Sequence, residues 1–214
     1  MFQLEEHVSP TRTALLVVDV QNDFCHPDGY HGRRGARLSQ IAEMIPRLER
    51  LLDESRKAGV PAIFIATHHS SWTNSPSWLA RRRKDGGDSA EDSCTPGSWG
   101  AAFYHVSPTE DELVVIKHRY SAFIDTDLDL ILRSRQIDNL LITGVNTNVC
   151  VDSTARHAYM LDYFVTVIED CCATTSPQED HEAALRLLSG RFAKIATSEE
   201  LIQIWQRADK ELAG

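Results

Sequence analysis

The sequence predicts an α/β fold of three layers, with a mostly parallel sheet between two sets of helices. Three observations predict it. Short apolar runs recur along the chain, helical stretches separate them, and 214 residues of ordinary composition (42% hydrophobic, 25% charged) suffice for one domain with a substantial core. Strands alternating with helices imply right-handed crossovers, hence parallel strands covered on both faces.

The first predicted strand spans residues 14–20 and the second 60–66. The third covers 113–117, the fourth 139–143 and the fifth 164–169, and a weaker apolar run marks a sixth at 192–196. Between the first two, Ile41, Met44, Ile45, Leu48, Leu51 and Leu52 recur at helical spacing, and Gly59 and Pro61 end that helix. Further helices are predicted over 126–135, 149–163, 177–188 and 198–208. One segment breaks the rhythm. Residues 68–105 show no period, are rich in Ser, Gly, Pro and charge, and read as a long irregular loop within a single domain spanning 1–214. Such loops are often functional, as a lid or a subunit interface.

With 22 basic against 31 acidic residues the net charge is −9, which works against binding a phosphate backbone. No apolar run approaches the roughly 20 residues of a membrane span, and the start, MFQLEEHVSP, has neither a basic nor a secretory apolar region. A cytoplasmic enzyme acting on a small molecule, without nucleic-acid or membrane partners, is expected. The five cysteines, Cys25, Cys94, Cys150, Cys171 and Cys172, are odd in number and form no CxxC pair, so free thiols are expected. Each of them is a small buried hydrophobe unless its surroundings say otherwise.

In open parallel sheets ligands bind beyond the carboxyl ends of the strands. The first strand runs apolar until Asp19 and the third until Lys117, while the fourth leads through a tight turn to Cys150. A carboxylate, an ammonium and a thiol are thus placed at equivalent ends of three strands. Only a thiolate attacks, and Cys150 falls where the first turn of a helix is predicted, which favours negative sulfur. Lys117 can stabilise that thiolate, and Asp19 can accept the thiol proton and return it to a leaving group. The turn from Gly144 to Cys150 can aim backbone N–H groups at an oxyanion. Phe24, just beyond Asp19, is a candidate apolar wall of a substrate pocket, or a core residue. Arg81, Arg82 and Arg83 can hold a substrate carboxylate, or form a solvated charge run.

The three stretches LLVVDVQNDF, VIKHRYSAF with TDLD, and TGVNTNVCV resemble, in order, motifs of the isochorismatase-like cysteine hydrolases, and GSWG at 97–100 resembles a further stretch. That family includes nicotinamidases, N-carbamoylsarcosine amidohydrolases, biuret hydrolases and ureidoacrylate amidohydrolases. The resemblance implies a six-stranded sheet, a catalytic triad of Asp19, Lys117 and Cys150, and a cis peptide joining Val145 to Asn146. It also implies an oxyanion hole from the backbone N–H groups of Asn146 and Cys150, a place for Asn146 in substrate binding, and a homo-oligomer, dimer or tetramer.

Members that cleave the vinyl ether of isochorismate lack the cysteine, so Cys150 favours hydrolysis of a C–N bond in a small amide, ureido or carbamoyl compound through a thioester. RYSAF followed by TDLDLILRSR looks most similar to the ureidoacrylate and other ureido-compound hydrolases. Nicotinamidases carry an Asp-x-His metal motif after the second strand, where this chain reads IATHHSSW. Adjacent His68 and His69 point to opposite faces of an extended chain, so neither a metal site nor any cofactor is expected. Two alternatives stand beside this expectation: a nicotinamidase-type amidase, and a non-catalytic ligand-binding or redox-sensing relative in which Cys150 is a modifiable thiol.

Overall fold

The computed structural model describes residues 3–84 and 93–213, apart from the side chains of 81–84 and 210–213. Six strands form one sheet: β1 (Thr13–Val18), β2 (Ala62–Thr67), β3 (Leu113–Lys117), β4 (Asn139–Val145), β5 (Phe164–Ala173) and β6 (Lys194–Ala196). Their order is β3-β2-β1-β4-β5-β6, and all five ladders are parallel. The chain builds outward from β1 to β3, then returns to start again at β4 beside β1. This reversal is the switch point at which open parallel sheets form their ligand crevice.

Helices cover both faces. On one, α2 (Ser39–Lys57) and α7 (Ser198–Ala213) bury Ile41, Leu48, Leu51, Ile202 and Trp205 against Leu15, Val17 and Phe64. On the other, α4 (Leu128–Ser134), α5 (Asp152–Met160) and α6 (Gln178–Arg191) bury Leu128, Leu132, Ala155 and Leu188 against Leu16, Ile65 and Ile142. Strands β1, β2 and β4 are buried at every position, as strands covered on both faces must be, while the edge strand β3 leaves Leu113, Val114 and Ile116 partly exposed. Among the described residues, no helix is long and apolar enough to cross a membrane.

Three departures from the sequence-based expectation matter for the site. The first strand stops at Val18 rather than Val20, because Asp19 adopts a left-handed backbone (φ 54°) that swings the chain out of the sheet. The predicted helix over 149–163 begins as a π-helical turn, Thr147–Val151, and only then becomes α5. The segment 68–105 is not wholly irregular. It contains α3 (Pro76–Lys84), which opens on proline as helices often do, and a 3₁₀ turn at Trp99–Ala101. With apolar residues only at Trp78, Leu79 and Ala80, α3 has no stripe for a periodicity argument to find. The four-residue α1 (Asn22–Cys25) is likewise too short to show one.

Candidate active site

The switch point brings together the ends of four strands. Asp19 follows β1, and its N–H donates to the Ile65 carbonyl of β2. On its other side β4 approaches so closely that a side chain at Gly144 (φ 110°) would place Cβ 2.0 Å from the Val18 oxygen. Only glycine fits there, so β4 and the turn after it lie hard against the Asp19 backbone.

Lys117 ends β3, one strand removed from β1, and its side chain spans the end of β2 to reach Asp19. Its Nζ lies 2.8 Å from Asp19 Oδ2, and the pair is 1% and 0% exposed. The same Nζ donates to Thr67 Oγ1 at 2.7 Å, to the Arg119 carbonyl at 3.0 Å and to Cys150 Sγ at 3.5 Å. Four acceptors compete for three ammonium protons, and the sulfur holds the longest contact. Thr67, the last residue of β2, completes the link by donating its hydroxyl proton to Asp19 Oδ1 at 2.9 Å. Gln21 fixes Thr67 in turn: its Oε1 accepts from the Thr67 N–H at 2.8 Å, and its Nε2 donates to the Thr67 carbonyl at 3.1 Å and the Ala101 carbonyl at 2.8 Å.

Beyond β4 the Val145–Asn146 peptide is cis, and the π turn delivers Cys150. The Asn146 side chain accepts from the Thr175 N–H at 2.7 Å, Thr147 pairs with His181 Nδ1 at 2.8 Å, and Asn148 accepts from the Thr174 hydroxyl at 2.7 Å. The turn that carries Cys150 is therefore tied at three successive residues to the connection after β5 and to α6.

Burial pushes the Cys150 thiol up to about 12; the Lys117 ammonium opposes that and the Asp19 carboxylate adds to it. Burial acts to lower the Lys117 pKa, but Asp19 and then Cys150 outweigh it, so the ammonium is held above its ordinary range. Burial thus favours the protonated thiol beside the buried Lys117–Asp19 pair.

These groups open onto a cavity of about 420 Å³. Its lining includes two groups of rings in mutual contact, Phe24, Tyr30 and His31 in one and His69, Trp78 and Tyr120 in the other. Phe24 is both pocket wall and core, since it lines the cavity, stacks on His31 and packs in the α2-side cluster. Asn146 also lines the cavity, and Cys150 is the one cysteine of the five that does. Burial raises the pKa of Cys25, Cys94, Cys171 and Cys172. Asp23 joins two segments of the rim, accepting from the Tyr30 N–H at 2.9 Å and the Cys94 N–H at 2.6 Å. The Arg81, Arg82 and Arg83 side chains lie outside the described residues. His69 faces the cavity while His68 does not, and among the described residues no group of three or more His, Cys, Asp or Glu side chains is arranged to hold a metal ion.

Sequence reasoning missed Thr67, Gln21, Trp78 and Arg119. Thr67 obeys the same strand-end rule as Asp19 and Lys117, but a hydroxyl carries no charge to draw notice. Gln21 and Arg119 sit inside stretches already singled out, whereas Trp78 had no signal.

Residues 13–200 match the family model described as the isochorismatase domain. A ureidoacrylate amidohydrolase from Methylobacterium radiotolerans is 32% identical over 223 residues, covering 97% of this chain and 86% of the relative. The solved structure of a cysteine hydrolase from Pseudomonas syringae pv. phaseolicola superposes with a TM-score of 0.80 at 25% identity, covering 93% and 94% of the two chains. An isochorismatase-like hydrolase from Alkaliphilus metalliredigens gives 0.77 at 32% identity, covering 91% and 99%. The α/β sheet, the three motifs and these matches agree, and the chain belongs to the isochorismatase family of hydrolases.

Proposed function

We propose that this protein is a cysteine-dependent amidohydrolase that cleaves a C–N bond of a small amide, ureido or carbamoyl compound through a thioester, with Asp19, Lys117 and Cys150 as its catalytic residues. The observation that carries this reading is the convergence on one ammonium, with Lys117 Nζ 2.8 Å from the Asp19 carboxylate and 3.5 Å from the Cys150 sulfur, at the floor of a cavity. The names of curated relatives, ureidoacrylate amidohydrolases at 28–34% identity, support a ureido substrate.

Because burial keeps the thiol protonated at rest, attack requires proton removal as the substrate carbonyl arrives. Asp19 takes that proton, and Lys117 stabilises the sulfur as it becomes anionic. The thiolate adds to the carbonyl carbon, and the resulting oxyanion is held by the backbone N–H groups of Asn146 and Cys150, donors worth about 3–4 kcal/mol in such sites. Collapse expels ammonia or an amine carrying the proton from Asp19. Water then adds to the thioester, Asp19 again accepting its proton, and the thiol is regenerated. A ureido substrate attacked with loss of ammonia leaves a carbamate.

The test is Cys150→Ala against the intact enzyme in an ammonia-release assay over ureides, carbamoyl amino acids, nicotinamide and simple amides, with mass spectrometry of the quenched enzyme. Turnover should fall by about 10⁴-fold or more and a mass increase on Cys150 should disappear. Full activity in Cys150→Ala would overturn the mechanism. Nicotinate as the main product, with stoichiometric metal, would move the substrate to the nicotinamidase type.

A further inference from the structure

Three side-chain hydrogen bonds hold the turn that carries Cys150, and only one of them can change with pH. The Asn146 and Asn148 side chains are neutral amides that accept from a backbone N–H and a hydroxyl. Between them, Thr147 Oγ1 lies 2.8 Å from Nδ1 of His181, in the first turn of α6. Thr147 is fully buried, and its hydroxyl has no other hydrogen-bond partner among the described residues. A hydroxyl buried in this way needs an acceptor for its proton. The neutral ring supplies one when Nδ1 is bare and the ring proton sits on Nε2, so the bond runs from Thr147 to His181. Protonation turns both ring nitrogens into donors, and the Thr147 hydroxyl proton is then left buried without an acceptor.

His181 is placed to take up that proton. It is half-buried, and besides meeting Thr147 it lines a separate hollow of about 240 Å³. To that hollow α2 contributes Glu43 and Arg47, and β5 contributes Glu169, Asp170 and Cys172. Glu182 follows His181 on α6 itself, the π turn has no charged side chain, and Asp152 and Arg156 of α5 are paired with each other. Burial lowers the His181 pKa below its ordinary 6.5, and Glu182 offsets this only in part. The ring is therefore neutral at neutral pH and gains its charge in the acidic range. Thr147 directly follows Asn146 and stands three residues before Cys150, so a shift of Thr147 displaces both backbone donors assigned above to the oxyanion and the sulfur itself.

We propose that His181 is a positioning residue for Cys150: its neutral ring sets the turn through Thr147, and protonation of the ring releases the turn and lowers turnover. The proposal rests on the amidohydrolase reading for the activity that it modulates, but the link from ring to turn is independent of any substrate.

The experiment follows the ring, the turn and the rate together. NMR gives the titration of His181 and the amide signals of Thr147 and Cys150, and kcat and KM are measured over about pH 4.5 to 8.5 on the compound that releases ammonia fastest in the screen above. In the intact enzyme both amide signals should shift with the midpoint of the ring. Through that midpoint kcat should fall by about tenfold to a hundredfold as pH drops, with KM changed much less. In His181→Asn, whose Oδ1 can replace Nδ1 as the acceptor, both shifts and this step in kcat should vanish, while most of the kcat at neutral pH is kept. His181→Leu should show the low kcat at every pH. Thr147→Val, which keeps the outline of the buried side chain, should do the same and replaces His181→Leu should the latter not fold. Amide signals that ignore the ring, a kcat step unchanged in His181→Asn, or full kcat without the bond would overturn the proposal. Release of ammonia from no ureide or amide, with both amide signals still following the ring, would overturn the amidohydrolase reading instead.

Discussion

Each end of the sheet carries a hollow with an ion pair, and the two pairs have little else in common. At the carboxyl ends, Lys117 and Asp19 are 1% and 0% exposed; both bond Thr67, and Lys117 also donates to the Arg119 carbonyl and to Cys150. At the amino ends, Arg12 and Asp138 are 62% and 30% exposed beside a hollow of about 610 Å³ lined also by Thr11, Arg133 and Gln136. The larger hollow contains no nucleophile and no desolvated charge. A base beside an aspartate is thus a strong, unscreened interaction where water is excluded and surface decoration where it is not.

The sharpest way to break that contrast is to neutralise one partner of the buried pair. Lys117→Met leaves Asp19 charged in a dry site, which should destabilise the fold by about 3–5 kcal/mol. It also removes the charge facing Cys150, so kcat should fall by about 10³-fold. Thermal melting and an ammonia-release assay check the two effects. Wild-type stability in this variant would mean that the pair is far better solvated than its burial indicates.

Thr67→Val probes the bridge between the two charges while leaving both in place. It removes the hydroxyl that accepts from Lys117 and donates to Asp19. Loss of one buried hydroxyl with two partners should lower stability by about 1–3 kcal/mol. The kcat should fall by about 10-fold to 100-fold, with KM changed much less, because the geometry of proton transfer is disturbed while valine keeps the shape that Thr67 gives the cavity lining. A change confined to KM would make Thr67 part of the pocket lining alone and not a link between Asp19 and Lys117.

How much of this arrangement is legible in the sequence depends on how far each residue's role lies from its own strand. Asp19, Lys117 and Cys150 could be selected because an apolar run ending in a polar group marks a strand's carboxyl end. The sheet order supplies what that rule lacks. Lys117 and Asp19 are two strands apart, so whichever side chain ends the strand between them must lie under the lysine, and that side chain is Thr67. Trp78 was hidden for another reason. Helix α3 presents its indole to the cavity while burying too little apolar surface to leave a 3.6-residue pattern. The resemblance placed the cis bond at Val145–Asn146, but only coordinates tie the turn to Thr174, Thr175 and His181.

The buried region also sets the alkaline limit of the fold. Burial raises all five thiols above the ordinary 9.0, and Lys117 is held above 10.5 by Asp19 and Cys150 against the opposing effect of burial. Above pH 9.0 the unfolded chain loses thiol protons that the folded chain keeps, so stability falls as pH rises. Lys117 acts in the same direction: its contribution is complete below 10.5 and is lost as pH climbs through its raised folded value. The melting temperature should therefore drop steadily from about pH 9 upward. A melting temperature flat to about pH 11 would show that the thiols titrate as in the unfolded chain.

The smallest effect is expected at the exposed pair. Asp138→Asn removes the charge that faces Arg12, but the segments it joins are held independently: the Asp138 N–H and the Asn139 side chain both donate to the Arg12 carbonyl, and Thr13 pairs with Asn139 in the ladder between β1 and β4. Both charged side chains are open to water, so losing their attraction leaves no desolvated group behind. The melting temperature and kcat/KM should both stay within experimental error of the parent, at low salt as at high. A loss of stability at low salt rivalling that of Thr67→Val would mean that the amino-end pair fixes the register of β1 on β4, and that exposure alone does not separate the two ends of the sheet.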